Sequence, residues 1–259
     1  MGSVAGLRQP RMSGLRSWLE KVYWAMEQRI VPGLTSSQDT YLEALTRHVG
    51  RDTRWLDLGC GKSLLPLWKH EAERRLVAQS GMLVGVDRNL PSLQTNDTIS
   101  LRVGGDIADL PFPDESFDLV TANMVLEHLY GPVGQFREIR RVLAPGGVFL
   151  CHTPNAHGYP VLAARLVPGA VKRLIVRGLE GRHSQDVFKT YYRANSPRRL
   201  QQLAAAAQLR VREVRLTLSS AMLAVVPPLA ALELLWIRAL RSSRLQRLRP
   251  TLIATLTRD

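Results

Sequence analysis

The stretch that decides the fold of this chain is Trp55-Leu56-Asp57-Leu58-Gly59-Cys60-Gly61. Its apolar first half is typical of a buried strand, and its two glycines predict a tight turn, after which the sequence is compatible with a helix from Leu64. Glycine allows the backbone to turn sharply and to approach a ligand closely. A strand that ends in such a turn is where an open α/β sheet binds a nucleotide-like ligand.

A second strand supports this interpretation. Residues 82–86 read Met-Leu-Val-Gly-Val and lead directly into Asp87. An acidic residue at the end of the strand that follows a glycine turn can accept hydrogen bonds from ribose hydroxyl groups. The two segments in this order indicate a ligand that contains adenosine.

Three kinds of nucleotide-like ligand could explain the glycine turn. Gly61-Lys62-Ser63 resembles the end of a Walker phosphate loop, but that pattern requires glycine at position 56, where the chain has Leu56. A dinucleotide fingerprint that begins at Gly59 requires a small residue where the chain has Leu64. S-Adenosylmethionine has no phosphate and needs no such close approach, so the turn suits it best.

Four ordered segments within residues 54–155 carry a family resemblance. They are residues 56–61 (Leu-Asp-Leu-Gly-Cys-Gly), 84–87 (Val-Gly-Val-Asp), 105–120 (Gly-Asp, then Leu-Pro-Phe-Pro-Asp-Glu-Ser-Phe-Asp-Leu-Val from 110) and 141–150 (Arg-Val-Leu-Ala-Pro-Gly-Gly-Val-Phe-Leu). In this order they resemble the class I S-adenosylmethionine-dependent methyltransferases, in particular the type 11 group of small-molecule enzymes. The chain departs from that group at Ser63, where a third glycine is common.

The resemblance implies S-adenosylmethionine as the cofactor, and methyl transfer to an acceptor requires no metal. The methionine end is expected beside Asp57 and the glycine turn, the ribose at Asp87 and the adenine at Asp106. Asp57 could also cap the turn at the end of its strand, and the two roles are compatible. The expected cofactor-binding residues are Asp57, Gly59, Cys60, Gly61, Asp87, Arg88, Asp106, Ile107, Asn123 and Met124.

An acceptor hydroxyl, whose pKa lies well above 7, benefits from a base that takes its proton during attack. His128 is the first candidate, because the loop after the fourth strand faces the transferring methyl group in this fold, and Glu127 could orient it. His152, His157 and His183 are the other candidates, and a surface or structural role is the alternative for each histidine. After the fifth strand the family pattern loosens, so residues 154–195 are expected to form an insertion that selects the acceptor. Its candidate substrate residues are Asn155, His157, His183, Tyr191 and Tyr192.

Strands that alternate with helices predict a doubly wound, Rossmann-like α/β sheet of seven strands, the last of them antiparallel. Residues 1–50 are expected to form a tail and capping helices (15–30 and 41–49), and residues 51–259 the methyltransferase domain. The predicted strands are 54–58, 82–86, 99–103, 117–122, 147–152, 209–218 and 248–257. A helix is predicted over 197–208 with Ser196 as its N-cap, and Pro145-Gly146-Gly147 is expected to end a helix before the fifth strand.

The chain of 259 residues carries a net charge of +13, which favours a nucleic acid, a membrane surface or an acidic substrate, unless it is only a solvated arginine-rich surface. Enzymes of this fold that methylate base amines commonly have an Asn/Asp-Pro-Pro-aromatic tetrapeptide after the fourth strand, whereas this chain has Ala122-Asn123-Met124-Val125. This difference argues against a nucleic-acid substrate. The two cysteines, Cys60 and Cys151, and the lack of an apolar N-terminal stretch predict a cytoplasmic protein.

Residues 221–247 are expected to form a basic amphipathic helical insertion. Leu232, Leu235 and Trp236 follow helical spacing, and an arginine recurs at every third position from Arg238 to Arg247. Two interpretations stay open, a helix packed on the sheet with solvated arginines and an interfacial helix in which residues 229–247 touch anionic lipid. The uncharged run 216–232 is too short to span a bilayer and contains Pro227-Pro228.

The sequence thus predicts a class I methyltransferase that acts on an oxygen of a small-molecule or lipid- or glycan-linked acceptor. A nucleic-acid methyltransferase recruited by basic charge and a non-catalytic binding module of the same fold are the alternatives. The sequence does not determine the oligomeric state.

Overall fold

The structure is a computed structural model that describes residues 14–166, 189–224 and 226–259. The helices are α1 (Gly14–Ile30), α2 (Ser37–Thr46), α3 (His70–Gln79), α4 (Leu90–Gln94), α5 (Pro132–Val142), α6 (Tyr159–Leu166), α7 (Pro197–Ala206) and α8 (Pro227–Ala239). The strands are β1 (Arg54–Leu58), β2 (Met82–Asp87), β3 (Leu101–Gly104), β4 (Phe117–Asn123), β5 (Leu143–Pro154), β6 (Arg210–Thr217) and β7 (Thr251–Thr257). Short 3₁₀ turns cover Leu67–Lys69, Leu126–His128 and Ser243–Leu248.

The strands form one seven-stranded sheet in the order β3-β2-β1-β4-β5-β7-β6. β7 is antiparallel to both β5 and β6, whereas the pairs among the first five strands are parallel. The predicted doubly wound sheet with an antiparallel last strand is therefore confirmed. The strand order reverses between β1 and β4, and the carboxyl ends of the strands at such a point form the ligand crevice of open α/β sheets.

Helices cover both faces of the sheet because neighbouring side chains of a strand point to opposite faces. Trp55 of β1 packs with Tyr41 of α2 and Leu76 of α3 on one face. Leu56, the next residue, packs on the other face with a cluster to which α5 and α7 contribute. These two clusters hold β1 from both faces of the sheet, so the glycine turn at its end has a fixed position.

The helix α8 packs against α1, and Tyr23, Ala230, Leu234 and Ile237 form their shared apolar core. The expected helical insertion over residues 221–247 is divided in the structure into α8 and a 3₁₀ turn, and α8 packs on α1. The helix ends at Ala239, and the Ser242 hydroxyl accepts a hydrogen bond from the N–H of Arg244 at the start of a separate 3₁₀ turn. The arginines do not share one helical face as a result.

Several helices and strands begin or end at residues other than those predicted. The helix after the glycine turn begins at His70 rather than near Leu64, because Leu64 and Leu65 are buried in the core and the turn from Pro66 precedes the helix. Pro145-Gly146-Gly147 lies inside β5, whose pairing with β4 shifts register between Phe117 and Leu119. The predicted cap at Ser196 is confirmed, since its hydroxyl accepts a hydrogen bond from the N–H of Arg199.

No helix among the described residues is both long enough and apolar enough to cross a membrane.

Candidate functional site

A cavity of about 310 Å³ opens at the carboxyl ends of β1, β2 and β4. The turns that follow these strands and the segment before α7 supply its walls. The lining residues are Gly59, Gly61, Val86, Asp87, Arg88, Gly105, Asp106, Ile107, Met124, Val125, His128, Leu129, Tyr130, Gln135, Lys189 and Tyr191.

The glycine turn forms the floor of the cavity. Gly59 and Gly61 have φ angles of +66° and +46°, in the left-handed region that other residues avoid. The N–H groups of Gly59 and Cys60 both donate to the carbonyl oxygen of Val86, at 2.7 and 3.2 Å. A Cβ at Gly59 would lie 2.6 Å from Cγ2 of Val125, so that position is closed to any side chain.

Asp87 stands at the end of β2 beside this turn. Its Oδ2 accepts a 2.8 Å hydrogen bond from the N–H of Gly61, and its Oδ1 accepts one of 2.7 Å from the N–H of Asn89. A carboxylate has about four acceptor positions. These two backbone contacts orient Asp87 and leave it capacity to bind hydroxyl groups in the cavity.

Asp106 lies at another part of the wall, where two side chains contact its Oδ2. The Tyr130 hydroxyl donates to Oδ2 of Asp106 at 3.3 Å, and Nε of Arg88 lies 3.7 Å from the same oxygen. The guanidinium of Arg88 lies 6.0 Å from the centroid of the Tyr130 ring. Together with Ile107, these residues give this wall an apolar part and a polar edge, as a purine base requires.

Met124 follows β4 with a φ of 59°, which is rare for a residue with a side chain. Its N–H donates to the carbonyl oxygen of His152 at 2.7 Å. Non-glycine residues held in this region carry strain of order 1–3 kcal/mol and concentrate at functional sites. The strained backbone turns the half-exposed Met124 side chain into the cavity.

His128 also lines the cavity, from the 3₁₀ turn Leu126–His128. Its Nδ1 lies 3.0 Å from the carbonyl oxygen of Lys189, and its Nε2 lies 3.9 Å from Oε1 of Glu127. A carbonyl oxygen only accepts hydrogen bonds, so the contact to Lys189 assigns the proton of neutral His128 to Nδ1 and the basic lone pair to Nε2.

Glu127 is buried beneath His128. Its Oε2 accepts a 2.9 Å hydrogen bond from the Thr153 hydroxyl, and its backbone oxygen accepts one of 2.7 Å from the N–H of Tyr191. Burial raises the pKa of the Glu127 carboxyl, although its own backbone and His128 oppose the shift. Glu127 therefore connects the His128 turn both to β5 and to the segment that carries Tyr191.

Comparison with known proteins identifies the domain that contains this cavity. Residues 56–151 match the family of methyltransferase domains known as type 11. A probable S-adenosylmethionine-dependent methyltransferase of Mycolicibacterium smegmatis is 31% identical over 138 residues, which are 49% of this chain and 50% of that protein. A demethylmenaquinone methyltransferase of Symbiobacterium thermophilum is 35% identical over 106 residues, 37% of this chain and 40% of that protein. The chain thus spans about half, or less, of the length of these curated relatives.

Solved structures share the fold over more of the chain. An S-adenosylmethionine-dependent methyltransferase from Mesorhizobium loti superposes with a TM-score of 0.56 at 18% identity, covering 86% of this chain and 98% of that one. A methyltransferase of Haloferax volcanii, in complex with its Trm112 activator, also has a TM-score of 0.56, at 20% identity, and covers 96% and 99%. Residues 56–151 thus match the type 11 methyltransferase domain, and they lie within a sheet of the class I methyltransferase fold.

S-Adenosylmethionine is the cofactor of this family, and the residues of the methyltransferase domain fit it. A Cβ built at Gly61 meets only Oδ2 of Asp87, at 3.9 Å, so the backbone of the turn borders open space. Asp87 offers carboxylate oxygens for two ribose hydroxyls, and Ile107 offers apolar surface for adenine. Of the cofactor-binding residues expected from the sequence, the cavity is lined by Gly59, Gly61, Asp87, Arg88, Asp106, Ile107 and Met124.

Asp57 and Cys60 lie beneath the cavity and do not line it. Oδ1 of Asp57 accepts a 2.5 Å hydrogen bond from the Thr121 hydroxyl, which also accepts one of 2.7 Å from the indole of Trp55. Burial raises the pKa of Asp57 to about 8, and the Glu73 and Asp87 carboxylates add to the shift. Burial likewise raises the pKa of the Cys60 thiol.

Asn123 belongs to a polar contact between β4, β5 and α2. Its Nδ2 donates to the carbonyl oxygen of Leu64 at 2.9 Å, and its Oδ1 lies 2.8 Å from Nδ1 of His152. His152 is buried and stacks on Tyr41, with ring centroids 5.5 Å apart. Burial lowers the pKa of His152 to about 3, so this histidine is neutral at physiological pH.

The candidate substrate residues fall into three groups. Tyr191 lines the cavity, with Nζ of Lys189 and the guanidinium of Arg193 each 5.1 Å from its ring centroid. Tyr192, Asn155 and His157 lie outside the cavity lining, and Asn155 instead donates to the carbonyl oxygens of Arg247 and Arg249, both at 2.9 Å. His183 lies outside the described residues.

The cavity has four further lining residues that the sequence motifs do not identify: Leu129, Tyr130, Gln135 and Lys189. Leu129 and Tyr130 directly follow His128, so the loop after β4 was a signal for them. Gln135 and Lys189 reach the cavity only through tertiary packing. Within the described part of the chain, no group of three or more histidine, cysteine, aspartate or glutamate side chains is arranged to hold a metal ion.

Proposed function

We propose that this protein transfers a methyl group from S-adenosylmethionine to an oxygen of a small-molecule or lipid- or glycan-linked acceptor. S-Adenosylmethionine, when bound, supplies a methyl group activated on a sulfonium. The observation that carries the proposal is that His128 lines the same cavity as Gly61 and Asp87. A basic nitrogen thus stands in the cavity that fits the methyl donor.

Gly59, Gly61 and Asp87 hold the donor in this proposal, and Met124 borders the place where donor and acceptor meet. In-line displacement requires the attacking atom, the methyl carbon and the leaving sulfur to be collinear. Fixing that arrangement can supply most of the acceleration, about 7–11 kcal/mol in well-oriented systems. The turn after β1 suits this task because hydrogen bonds to Val86 and Asp87 hold its backbone N–H groups.

His128 is the proposed base that takes the acceptor proton at Nε2. The carbonyl oxygen of Lys189 holds the ring through Nδ1 and keeps the basic nitrogen on the other side. Glu127, 3.9 Å from Nε2, is a positioning residue, and it supports the positive charge that His128 gains on proton uptake. This chemistry favours a hydroxyl acceptor, which is a weak nucleophile until its proton is removed.

The mouth of the cavity is cationic where the acceptor would enter. Lys189 and Arg193 flank the Tyr191 ring, and Arg88 lies near Tyr130. Positive groups beside aromatic rings favour an acceptor with an anionic group next to its methylated part, such as the phosphate of a lipid-linked sugar. We further propose that residues 51–259 form the methyltransferase domain, that residues 154–195 select the acceptor, and that the protein works in the cytoplasm.

The test incubates the full chain with S-adenosylmethionine labelled in its methyl group and with separate lipid, soluble-metabolite and RNA fractions of a cell extract. Demethylmenaquinone is added as a contrasting acceptor, because some relatives are named for it and its methylation would form a carbon–carbon bond. We expect label in the lipid or metabolite fraction, and mass spectrometry of the product should place the methyl group on oxygen.

Label on nitrogen or carbon would contradict the oxygen acceptor, and label in RNA would contradict the acceptor class. Saturable cofactor binding without transfer to any fraction would instead indicate a binding module. Asp87→Ala serves as the control for cofactor-dependent labelling.

A further inference from the structure

The helix α8 is apolar on two opposite sides. One side packs on α1 through Ala230, Leu234 and Ile237. The opposite side exposes Leu229, Leu232, Leu235 and Trp236, and Leu232 and Leu235 are 64% and 52% exposed. Helical periodicity places these four residues on one face. Contiguous apolar surface of this kind marks an interaction site.

The neighbouring helix α1 exposes Trp18 and Trp24. Tryptophan is enriched where proteins meet the interface of a lipid bilayer, because its ring is apolar and its N–H is polar. We call the four exposed residues of α8, on the helix pair formed by α1 and α8, the α1–α8 surface. It combines three leucines with Trp236, the composition of interfacial helices.

Positive charge follows the apolar residues. Arg238, Arg244 and Arg247 are exposed, and among the described residues none of them forms a recorded ion pair. Arg241 differs, since its guanidinium donates to the carbonyl oxygen of Pro32 at 2.8 Å and so joins α8 to the loop after α1. An anionic bilayer is the partner that satisfies both the apolar residues and these arginines.

The topology brings this surface to the edge of the sheet where the cavity opens. β6 is antiparallel to β7, which is antiparallel to β5, so β6 runs parallel to β5 and the chain leaves it at the carboxyl edge. The segment after α1 returns to the same edge, where Nδ2 of Asn123 donates a 3.3 Å hydrogen bond to Oε1 of Gln38. The segments that lead to α8 and away from α1 therefore lie at the end of the sheet at which the cavity also opens.

We propose that the α1–α8 surface docks the protein on an anionic lipid bilayer. The leucine and tryptophan side chains enter the headgroup region, while Arg238, Arg244 and Arg247 contact lipid phosphates. The inference does not depend on the acceptor or on methyl transfer, since binding to lipid is measured without either.

The experiment is flotation of the full chain with vesicles of phosphatidylcholine alone or with phosphatidylglycerol. We expect recovery with the anionic vesicles at low salt and release at 1 M salt, where the Debye length falls to about 3 Å. Each arginine near an anionic surface strengthens binding about fivefold, so Arg238→Gln, Arg244→Gln and Arg247→Gln together should weaken binding roughly 100-fold. The double variant Leu232→Ser and Leu235→Ser should abolish binding to the anionic vesicles.

Matched controls separate the surface from general charge and apolarity. Arg51→Gln, Arg74→Gln and Arg210→Gln remove the same charge from exposed positions elsewhere, and Leu101→Ser alters a leucine of 50% exposure on β3, at the far end of the sheet. These variants should bind as the unchanged protein does. Equal recovery on neutral vesicles, no recovery on anionic ones, equal loss in the controls, or a stable dimer that survives 1 M salt and needs Leu232 would each overturn the proposal.

Discussion

The backbone N–H of Gly61 donates a 2.8 Å hydrogen bond to Oδ2 of Asp87. This contact joins the turn after β1 to the end of β2 across 26 positions of sequence. At this contact Gly61 has a left-handed φ of +46°. The two strongest sequence signals are therefore parts of one wall of the cavity.

Asp87→Ala should weaken the affinity for S-adenosylmethionine by about 1.5–3 kcal/mol, the scale of hydrogen bonds to a charged group. Isothermal titration calorimetry measures the change. Asp52→Ala, at an exposed carboxylate just before β1, is the matched control and should leave the affinity unchanged. If Asp87→Ala also leaves it unchanged, Asp87 does not hold the ribose.

Gly59→Ala should destabilise the fold, because its φ of +66° costs an alanine about 1–2 kcal/mol and its Cβ would lie 2.6 Å from Val125. Urea denaturation measures the free energy of unfolding. Gly134→Ala is the control, since its Cβ meets nothing within 4 Å, and within α5 it should stabilise the fold by about 0.5–1 kcal/mol. Equal effects of the two substitutions would show that the turn geometry is not decisive.

His128→Ala should lower kcat by on the order of 10²–10⁴ and leave cofactor affinity nearly unchanged, because a general base acts on the acceptor. Once an acceptor is known, steady-state kinetics beside calorimetry separates the two quantities. His48→Ala, a histidine outside the cavity lining, should have wild-type turnover. Undiminished turnover in His128→Ala would remove this residue from the base role.

Asp57→Asn should stabilise the protein above about pH 5 and flatten its dependence on pH. The folded pKa of Asp57, raised by burial to about 8, exceeds its unfolded value near 3.9. Between these values the unfolded chain ionises Asp57 while the folded one keeps it protonated, so stability falls as pH rises through this window. The amide still accepts from Thr121. Urea denaturation at pH 4, 6 and 8 tests this, and parallel pH curves for the two proteins would contradict it.

The sequence by itself predicted the sheet and the glycine turn and carboxylate that line one side of the cavity. Local signals were sufficient there. An apolar run that ends in glycines has little alternative to forming a buried strand, and Asp87 follows its strand directly. β1 occupies the predicted residues 54–58, and β7 is antiparallel as expected. The start of α3 was not predictable from local sequence, since tertiary burial of Leu64 and Leu65 delays it.

Only the tertiary structure decided which neighbouring polar residues line the cavity. Asp57 and Gly59 are two positions apart, yet the strand directs Asp57 toward Thr121 inside the sheet and the turn opens Gly59 to the cavity. Lys189 lies 61 positions from His128 in sequence, and its carbonyl oxygen nevertheless orients the imidazole. The sequence also showed that 221–247 is apolar and basic, but packing against α1 determined which side of α8 is buried. Local preferences fix strands and turns, whereas the direction of a side chain depends on contacts that form only when distant segments pack.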